Sequence, residues 1–235
     1  MKPARWNSGL LRLIMSNNIF VYHFTKKQNI TSILQNGLKH GTKYNTLDSQ
    51  FRAGANYFYL TPSHDCMNYK NNNDYECLQI SVDKNLCVVG NMDLISSAFY
   101  NFMMEKKNAS LYNYRKLVKM FDSTAVAYDF YETGYFRTPE AIIQNDILPN
   151  VIEIIKPNEV TSNFINNREL YNKKLEQKLY ELTLSNVQFK NIYTMIKFLE
   201  ENKIIKKIAL HDDSFGLLQS YIVNDTSEFF TVELE

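Results

Sequence analysis

Three stretches of the chain bring together side chains suited to chemistry. The first is Val21-Tyr22-His23-Phe24-Thr25, which places an imidazole and a hydroxyl close together on one short segment. The second is Asn56-Tyr57-Phe58-Tyr59-Leu60-Thr61-Pro62-Ser63, followed by Met67 and Tyr69, where aromatic faces can stack on a planar group. The third is Arg137-Thr138-Pro139-Glu140-Ala141-Ile142-Ile143-Gln144, followed by Pro149 and Ile152, in which a single carboxylate heads an apolar run. A lone carboxylate in a closed site stabilises positive charge that develops during a reaction. Each residue also has an ordinary structural explanation: His23 as a core or cap histidine, Tyr57 to Tyr59 as packing, Glu140 as a solvated strand-end acid. Other chemistries lack their residues. No Gly-x-Gly-x-x-Gly marks a Rossmann-type dinucleotide site, and no Gly-x-Ser-x-Gly marks a serine hydrolase. Cys66, Cys77 and Cys87 have no close Cys/His pair for zinc, and their odd number suits a reducing compartment. His64, in a polar loop, and His211, in a turn before Asp212-Asp213, read as structural or solvent-facing.

The elements that must position these residues follow from hydrophobic period and punctuation. Ile19 to Phe24 is β-branched and aromatic and predicts a strand. Thr25-Lys26-Lys27-Gln28 has the form of a capping box, Ile30, Ile33 and Leu34 share one helical face, and Gly37 suits the left-handed stop. A loop carrying Arg52 and Gly54 leads into an aromatic strand, Asn56 to Leu60, closed by Thr61-Pro62. Cys77 to Val82 and Leu86 to Val89 predict a hairpin around Asp83-Lys84-Asn85. Residues 91 to 121 predict two helices parted near 108 to 110. A strand around Ala141 to Gln144, a corner at Pro149 and a strand over Val151 to Ile155 come next. Residues 158 to 207 predict two helices split near 183 to 186, and Ser220 to Val223 with Phe229 to Leu234 predict a hairpin turned at Asn224-Asp225. The chain thus divides into a dispensable leader over 1–18, with Met15 as an alternative start, a core over 19–157, and a helical extension over 158–235 that ends in a short acidic hairpin.

A strand ending in His23-Phe24-Thr25, a helix of the form Asn-Ile-x-x-Ile-Leu-x-x-Gly-Leu over Asn29 to Leu38, the aromatic strand Phe58-Tyr59-Leu60, and a later strand opening with Glu140-Ala141-Ile142-Ile143 resemble the ADP-ribosyltransferase superfamily of the His-Tyr-Glu kind. Within it the chain is most similar to the DarT family of DNA ADP-ribosyltransferase toxins. The resemblance spans about residues 19 to 156 in three separate patches. It implies an α+β fold of split mixed or antiparallel sheets with flanking helices. It also implies NAD as co-substrate, no metal, and pentosyl transfer to an acceptor, with an antitoxin as a possible partner of such a toxin. Glu140 takes the catalytic position; His23, Thr25, Arg52, Tyr59 and Tyr69 take positions against NAD; Arg137 is a second candidate for the phosphate or for the acceptor, and the local basic excess adds Lys106, Lys107 and Arg115 as candidates for the acceptor. The chain departs from the family pattern at Ser63 to Met67 and at Thr138-Pro139 before Glu140. Those departures keep three alternatives open: a catalytically inactive nucleotide-binding module, a transferase acting on protein or RNA, and a tRNA 2′-phosphotransferase type of enzyme.

The chemistry suits a lone carboxylate. Cleaving the glycosidic bond of NAD passes through an oxocarbenium-like ribose, as in glycoside hydrolysis. Nicotinamide departs as a neutral group, so no acid is needed to protonate it. One carboxylate can hold the ribose 2′-hydroxyl and stabilise the cation. His23 can hydrogen-bond a ribose hydroxyl, Tyr59 can stack on nicotinamide, and Arg52 can clamp the pyrophosphate.

Composition bounds the rest. The 235 residues contain 26 Lys+Arg against 25 Asp+Glu, a net charge of +1, which argues against a polybasic nucleic-acid binder and leaves room only for a local basic face. With 45% hydrophobic residues, 16 Tyr and 15 Phe, a core can form. No stretch approaches a membrane span or a signal-peptide core, so a cytoplasmic protein without membrane contact is expected. Residues 105 to 119 carry Lys106, Lys107, Arg115, Lys116 and Lys119 against Glu105 alone, and residues 168 to 207 carry nine Lys/Arg against five Glu. These helices can form a positive rim for single-stranded DNA or be the solvated faces of amphipathic helices.

Overall fold

The computed structural model describes residues 17–40, 47–65, 67–157, 164–184, 187–213 and 216–234; the expected leader up to residue 16, and Cys66, lie outside them. β1 (Asn18–Lys26) lies between β2 (Asn56–Tyr59) and β3 (Tyr75–Asp83), antiparallel to both. It pairs with β3 along its whole length, from Asn18↔Asp83 to Lys26↔Tyr75, but meets β2 at one register pair, Tyr22↔Tyr59. The sheet therefore divides along the β1–β2 seam. Beyond β2 lie β6 (Pro139–Ile143), β4 (Val88–Asn91) and β5 (Val126–Ala127); beyond β3 lies β7 (Ile152–Ile155). All these pairings are antiparallel, and with the five described α-helices the architecture is α+β.

The predicted hairpin between Cys77–Val82 and Leu86–Val89 does not form. β3 and β4 follow one another through a 3-10 turn at Lys84–Leu86, yet β6, β2 and β1 lie between them in the sheet. Their local pattern suits a hairpin, but the edge that β3 would offer β4 is taken by β1 on one side and β7 on the other.

The capping box is also replaced. β1 continues through Thr25 to Lys26, a 3-10 turn occupies Lys27–Asn29, and α1 (Ile30–Asn36) starts with no side-chain cap. Thr25 hydroxyl instead accepts from the Asn29 amide at 3.4 Å. The stop holds: Gly37 has φ +74°, and a Cβ there would lie 2.0 Å from the Ile147 carbonyl oxygen.

α2 (Met92–Glu105) and α3 (Tyr114–Thr124) are N-capped by Asn91 and Asn113, whose side chains accept from the amides of Asp93 and Arg115. Leu94, Ala98, Leu117 and Phe121 cover one face of the sheet at Ile142. On the other face Val21, Phe58, Leu78, Ala141 and Ile143 pack against Ile33, Phe136 and Ile147.

The C-terminal part holds α4 (Phe164–Thr183), α5 (Ile192–Glu201) and a second sheet, β10-β9-β8, made of β8 (Ile205–Asp213), β9 (Gly216–Val223) and β10 (Phe229–Glu233). The β9–β10 hairpin matches the sequence reading; β8 corrects it, because the segment read as helix to Lys207 and as a turn at His211 is a strand. A register shift between Lys207 and Ala209 buries both Ile208 and Ala209 after Ile205. That bulge turns strand alternation into a spacing that mimics a helix. The second sheet shares its core with α2 and α3 through Ile208 and Ile222. It is further tied to α2 by Ser97 Oγ to Ser220 Oγ at 2.9 Å and by the Asn101 amide donating to the Ile208 carbonyl at 3.0 Å. No described helix is long and apolar enough to cross a membrane.

Candidate functional site

Where β1 and β2 part, a cleft of about 600 Å³ opens. His23, Thr25 and Phe24 from β1, Tyr57 and Phe58 from β2, and Asn29 and Ser32 from the α1 region line it, and Lys26 and Lys39 add cations. His23 Nδ1 lies 3.4 Å from the Tyr57 carbonyl, bridging the seam in place of a backbone ladder, and its ring meets Phe58 edge-on at 6.0 Å. Burial lowers the His23 pKa, only partly opposed by the bond to Tyr57, and so favours the neutral imidazole. Tyr75 also lines the cleft and stacks on Tyr69 with centroids 4.3 Å apart. Phe24 is in turn edge-on to Tyr59 at 6.0 Å. Tyr59 and Tyr69 thus belong to one aromatic cluster that reaches the cleft through Phe24 and Tyr75.

Glu140 is directly opposite Tyr59 in the β2–β6 register, and Tyr59 is opposite Tyr22 in β1. Because strand side chains alternate, Tyr22, Tyr59 and Glu140 share one face, and His23 projects to the other. The expectation that His23, Tyr59 and Glu140 line one cleft is corrected accordingly: His23 and Thr25 line it, whereas Glu140 and Tyr59 stand across the sheet.

Glu140 is buried, and its Oε1 accepts from the guanidinium of Arg52 in a buried ion pair. No hydrogen bond engages Oε2 among the described residues. The Arg52 guanidinium lies 4.0 Å over the Tyr57 ring centroid and 6.0 Å from that of Phe121, and the Tyr57 hydroxyl donates to the Arg52 carbonyl. Arg52 Nε is buried without a partner. Arg52, expected on the pyrophosphate, is therefore directed to the carboxylate, and the cations at the cleft are Lys26 and Lys39, the latter bonded to Asp146 at 2.8 Å. Tyr57 joins the two parts: its carbonyl faces His23 and its ring carries Arg52. Sequence reasoning gave Tyr57 a packing role; the signal available was its place two residues before Tyr59, on the same strand face.

Arg137, expected at the acceptor, is 2% exposed. Its guanidinium donates to Asp93 at 3.2 Å, to the Thr138 hydroxyl at 3.0 Å and to Glu233 at 2.7 Å, and Glu233 also pairs with Arg168. The open space it borders, about 340 Å³, is otherwise lined by C-terminal residues such as Lys190, Tyr193 and Glu233. Carboxylates from α2 and β10 account for this inward placement. Lys106, Lys107 and Arg115 are exposed around the turn between α2 and α3. Lys106 lies 4.5 Å over the Phe102 ring centroid, Arg115 5.6 Å over that of Tyr114, and Lys116 5.8 Å over that of Tyr112. The Arg115 pKa is raised, first by its bond to the Tyr114 hydroxyl, with Glu105 and Asp48 near enough to contribute.

His64 is buried in the turn after β2, and burial lowers its pKa to about 3. Cys77 and Cys87 are free and buried, with thiols pushed up to about 12 chiefly by burial, which leaves them inert as nucleophiles. Among the described residues no group of three or more His, Cys, Asp or Glu could hold a metal ion. No family model matches the chain, and neither does any curated protein or solved structure.

Proposed function

We propose that the protein is an NAD-dependent mono-ADP-ribosyltransferase of the DarT-like kind, a toxin that modifies single-stranded DNA. The observation that carries this reading is a buried, arginine-paired carboxylate, Glu140, on β6, separated by β2 alone from the seam where a cleft lined by His23 and Thr25 opens. The cleft volume, about 600 Å³, lies within the range of small-molecule sites, and its lysines suit a diphosphate. In the reaction the bond between ribose C1′ and the nicotinamide nitrogen breaks, and its electron pair leaves with nicotinamide. A nucleophilic atom of the acceptor then bonds C1′, and its proton passes to solvent water. Glu140 Oε2 accepts the ribose 2′-hydroxyl and stabilises the cation while Arg52 orients the carboxylate through Oε1. His23, neutral, faces the cleft on the other side of the sheet from Glu140 and hydrogen-bonds the part of NAD held there. The exposed cations and aromatic rings of the α2–α3 turn supply phosphate pairing and stacking for a single strand.

The placement of Glu140 across the sheet from His23 favours a second reading, a nucleotide-binding module without catalysis. Incubating the protein and Glu140→Ala with labelled NAD and single-stranded DNA, RNA or lysate separates the two. Transfer should fall about 1,000-fold in Glu140→Ala that keeps its circular dichroism spectrum. Full transfer by that variant, or NAD binding in calorimetry with no nicotinamide released over hours, removes the enzyme reading. Label on RNA or protein rather than DNA reassigns the acceptor.

A further inference from the structure

We infer that Asp122 and Ser49 are positioning residues for Arg52, an inference that rests on the reading of Arg52 and Glu140 as parts of one active site. Arg52 lies in a turn outside any strand or helix, and the described part of that turn includes two non-glycine residues in the left-handed region, Leu47 at φ 60° and Asp48 at φ 63°. Such a backbone holds its shape only where its surroundings fix it. Asp122, in the last turn of α3, does so with both carboxylate oxygens. Its Oδ1 accepts from the buried Ser49 hydroxyl at 2.6 Å, and its Oδ2 accepts from the Gln50 amide at 3.2 Å. Ser49 Oγ in turn accepts from the main-chain amide of Arg52 at 3.3 Å. The Gln144 side-chain amide, just past β6, closes the turn from the other side by donating to the Gln50 and Phe51 carbonyls at 2.9 and 3.2 Å.

A chain of hydrogen bonds thus runs from α3 through Asp122 and Ser49 to the Arg52 backbone, and the Arg52 side chain completes it at Glu140. An acid in the last turn of a helix opposes the helix dipole, so Asp122 does not serve α3 itself. Its two bonds serve the turn. Misplacing a charged group by about 1 Å costs roughly 100-fold in rate, whereas NAD meets this chain of bonds only at its far end, Glu140, and touches neither Asp122 nor Ser49.

The test uses the full-length protein. Asp122→Ala and Ser49→Ala should each lower kcat about 10- to 100-fold with KM for NAD within about twofold, and Asp122→Asn, which keeps an oxygen for Ser49, should recover part of the loss. In an Arg52→Ala background the Asp122→Ala change should add less than about a twofold further loss, because the residue acts through Arg52. Full kcat in folded Asp122→Ala and Ser49→Ala, or independent losses in the double variant, overturns the inference. If the wild-type protein turns over no NAD, the functional reading fails on its own. Hydrogen exchange at the Gln50 and Arg52 amides then decides the positioning: faster exchange in Asp122→Ala supports it and unchanged exchange overturns it.

Discussion

Arg52 and Glu140 stand 88 positions apart in sequence and meet as a buried ion pair, with the guanidinium laid over the ring of Tyr57. Three elements converge to make that contact. The turn before β2 carries the arginine, β2 carries the aromatic ring beneath it, and β6 carries the carboxylate in register with Tyr59. The pair is shielded from water, so removing one partner leaves a desolvated charge.

Arg52→Ala should therefore destabilise the fold by about 3–5 kcal/mol, as expected when one member of a buried pair is deleted. The double variant Arg52→Ala/Glu140→Gln should recover part of that loss, since it leaves no orphaned charge. Urea unfolding of the three proteins measures both quantities; equal stability of Arg52→Ala and wild type would show that the pair contributes nothing.

Asn167 makes a comparable convergence on the segment that leads into β6. Its amide donates to the Phe136 and Arg137 carbonyls at 3.1 and 3.0 Å, and its oxygen accepts from the Tyr131 hydroxyl at 2.9 Å and the Gly134 amide at 2.7 Å. Asn167→Ala should cost about 2–4 kcal/mol, because these groups are left without a partner in a buried setting. Asn167→Asp should cost less at the accepting side and lose the donations to the two carbonyls. Thermal and urea melts of the two variants give the comparison, and a loss below about 0.5 kcal/mol in Asn167→Ala would mean that water replaces the side chain at little cost.

How much of this was legible in the sequence depends on the range of the interaction. Ile19 to Phe24 announced β1, Gly37 marked the end of α1, and the interruption near Asn108 separated α2 from α3, all because the determining pattern is local. Glu140 at the head of an apolar strand was legible for the same reason. The partnership of Arg52 with Glu140 was not, since a loop cation carries no local sign of the strand it will meet. Arg137 shows the converse error: an arginine beside the candidate carboxylate invited a role in binding, but Asp93 and Glu233, from distant segments, hold it inside. β8 was misread because its bulge shifts the alternation that identifies a strand.

Burial of His64 gives stability a pH dependence of definite sign. Its folded pKa, lowered to about 3, lies below the ordinary value of 6.5. The unfolded chain binds a proton below 6.5 that the folded protein refuses until about 3, so stability is fully present above 6.5 and falls as pH drops through that window. The slope is at most about 1.4 kcal/mol per pH unit for one such group. His23 and His211 are shifted in the same direction, in each case first by burial, and add to it. Urea melts between pH 7 and pH 4 of wild type and His64→Asn should show a shallower slope in the variant, whatever its stability at pH 7. Identical slopes would mean that His64 accepts a proton in the folded protein.

The exposed turn between α2 and α3 carries the last prediction. Lys106, Arg115 and Lys116 lie over Phe102, Tyr114 and Tyr112, so exposed cations rest on rings that are themselves half-buried against the core. Phe102 and Tyr114 are themselves edge-on at 5.1 Å, which fixes two of those rings against each other. An ordered set of rings and cations offers both terms of single-strand binding, base stacking and phosphate pairing. A solvated helix face offers only charge. Replacing Lys106, Lys107, Arg115, Lys116 and Lys119 by Ser should weaken binding to single-stranded DNA and flatten its salt dependence by roughly 0.7 in log–log slope for each phosphate no longer neutralised. Tyr112→Ala and Phe102→Ala should weaken binding by about 1–3 kcal/mol for each stacked base while leaving the salt slope unchanged. Fluorescence anisotropy across a salt series separates the two effects. Affinity and slope that stay constant in the Ser variant would take nucleic acid away from this surface and move the search for the acceptor to protein.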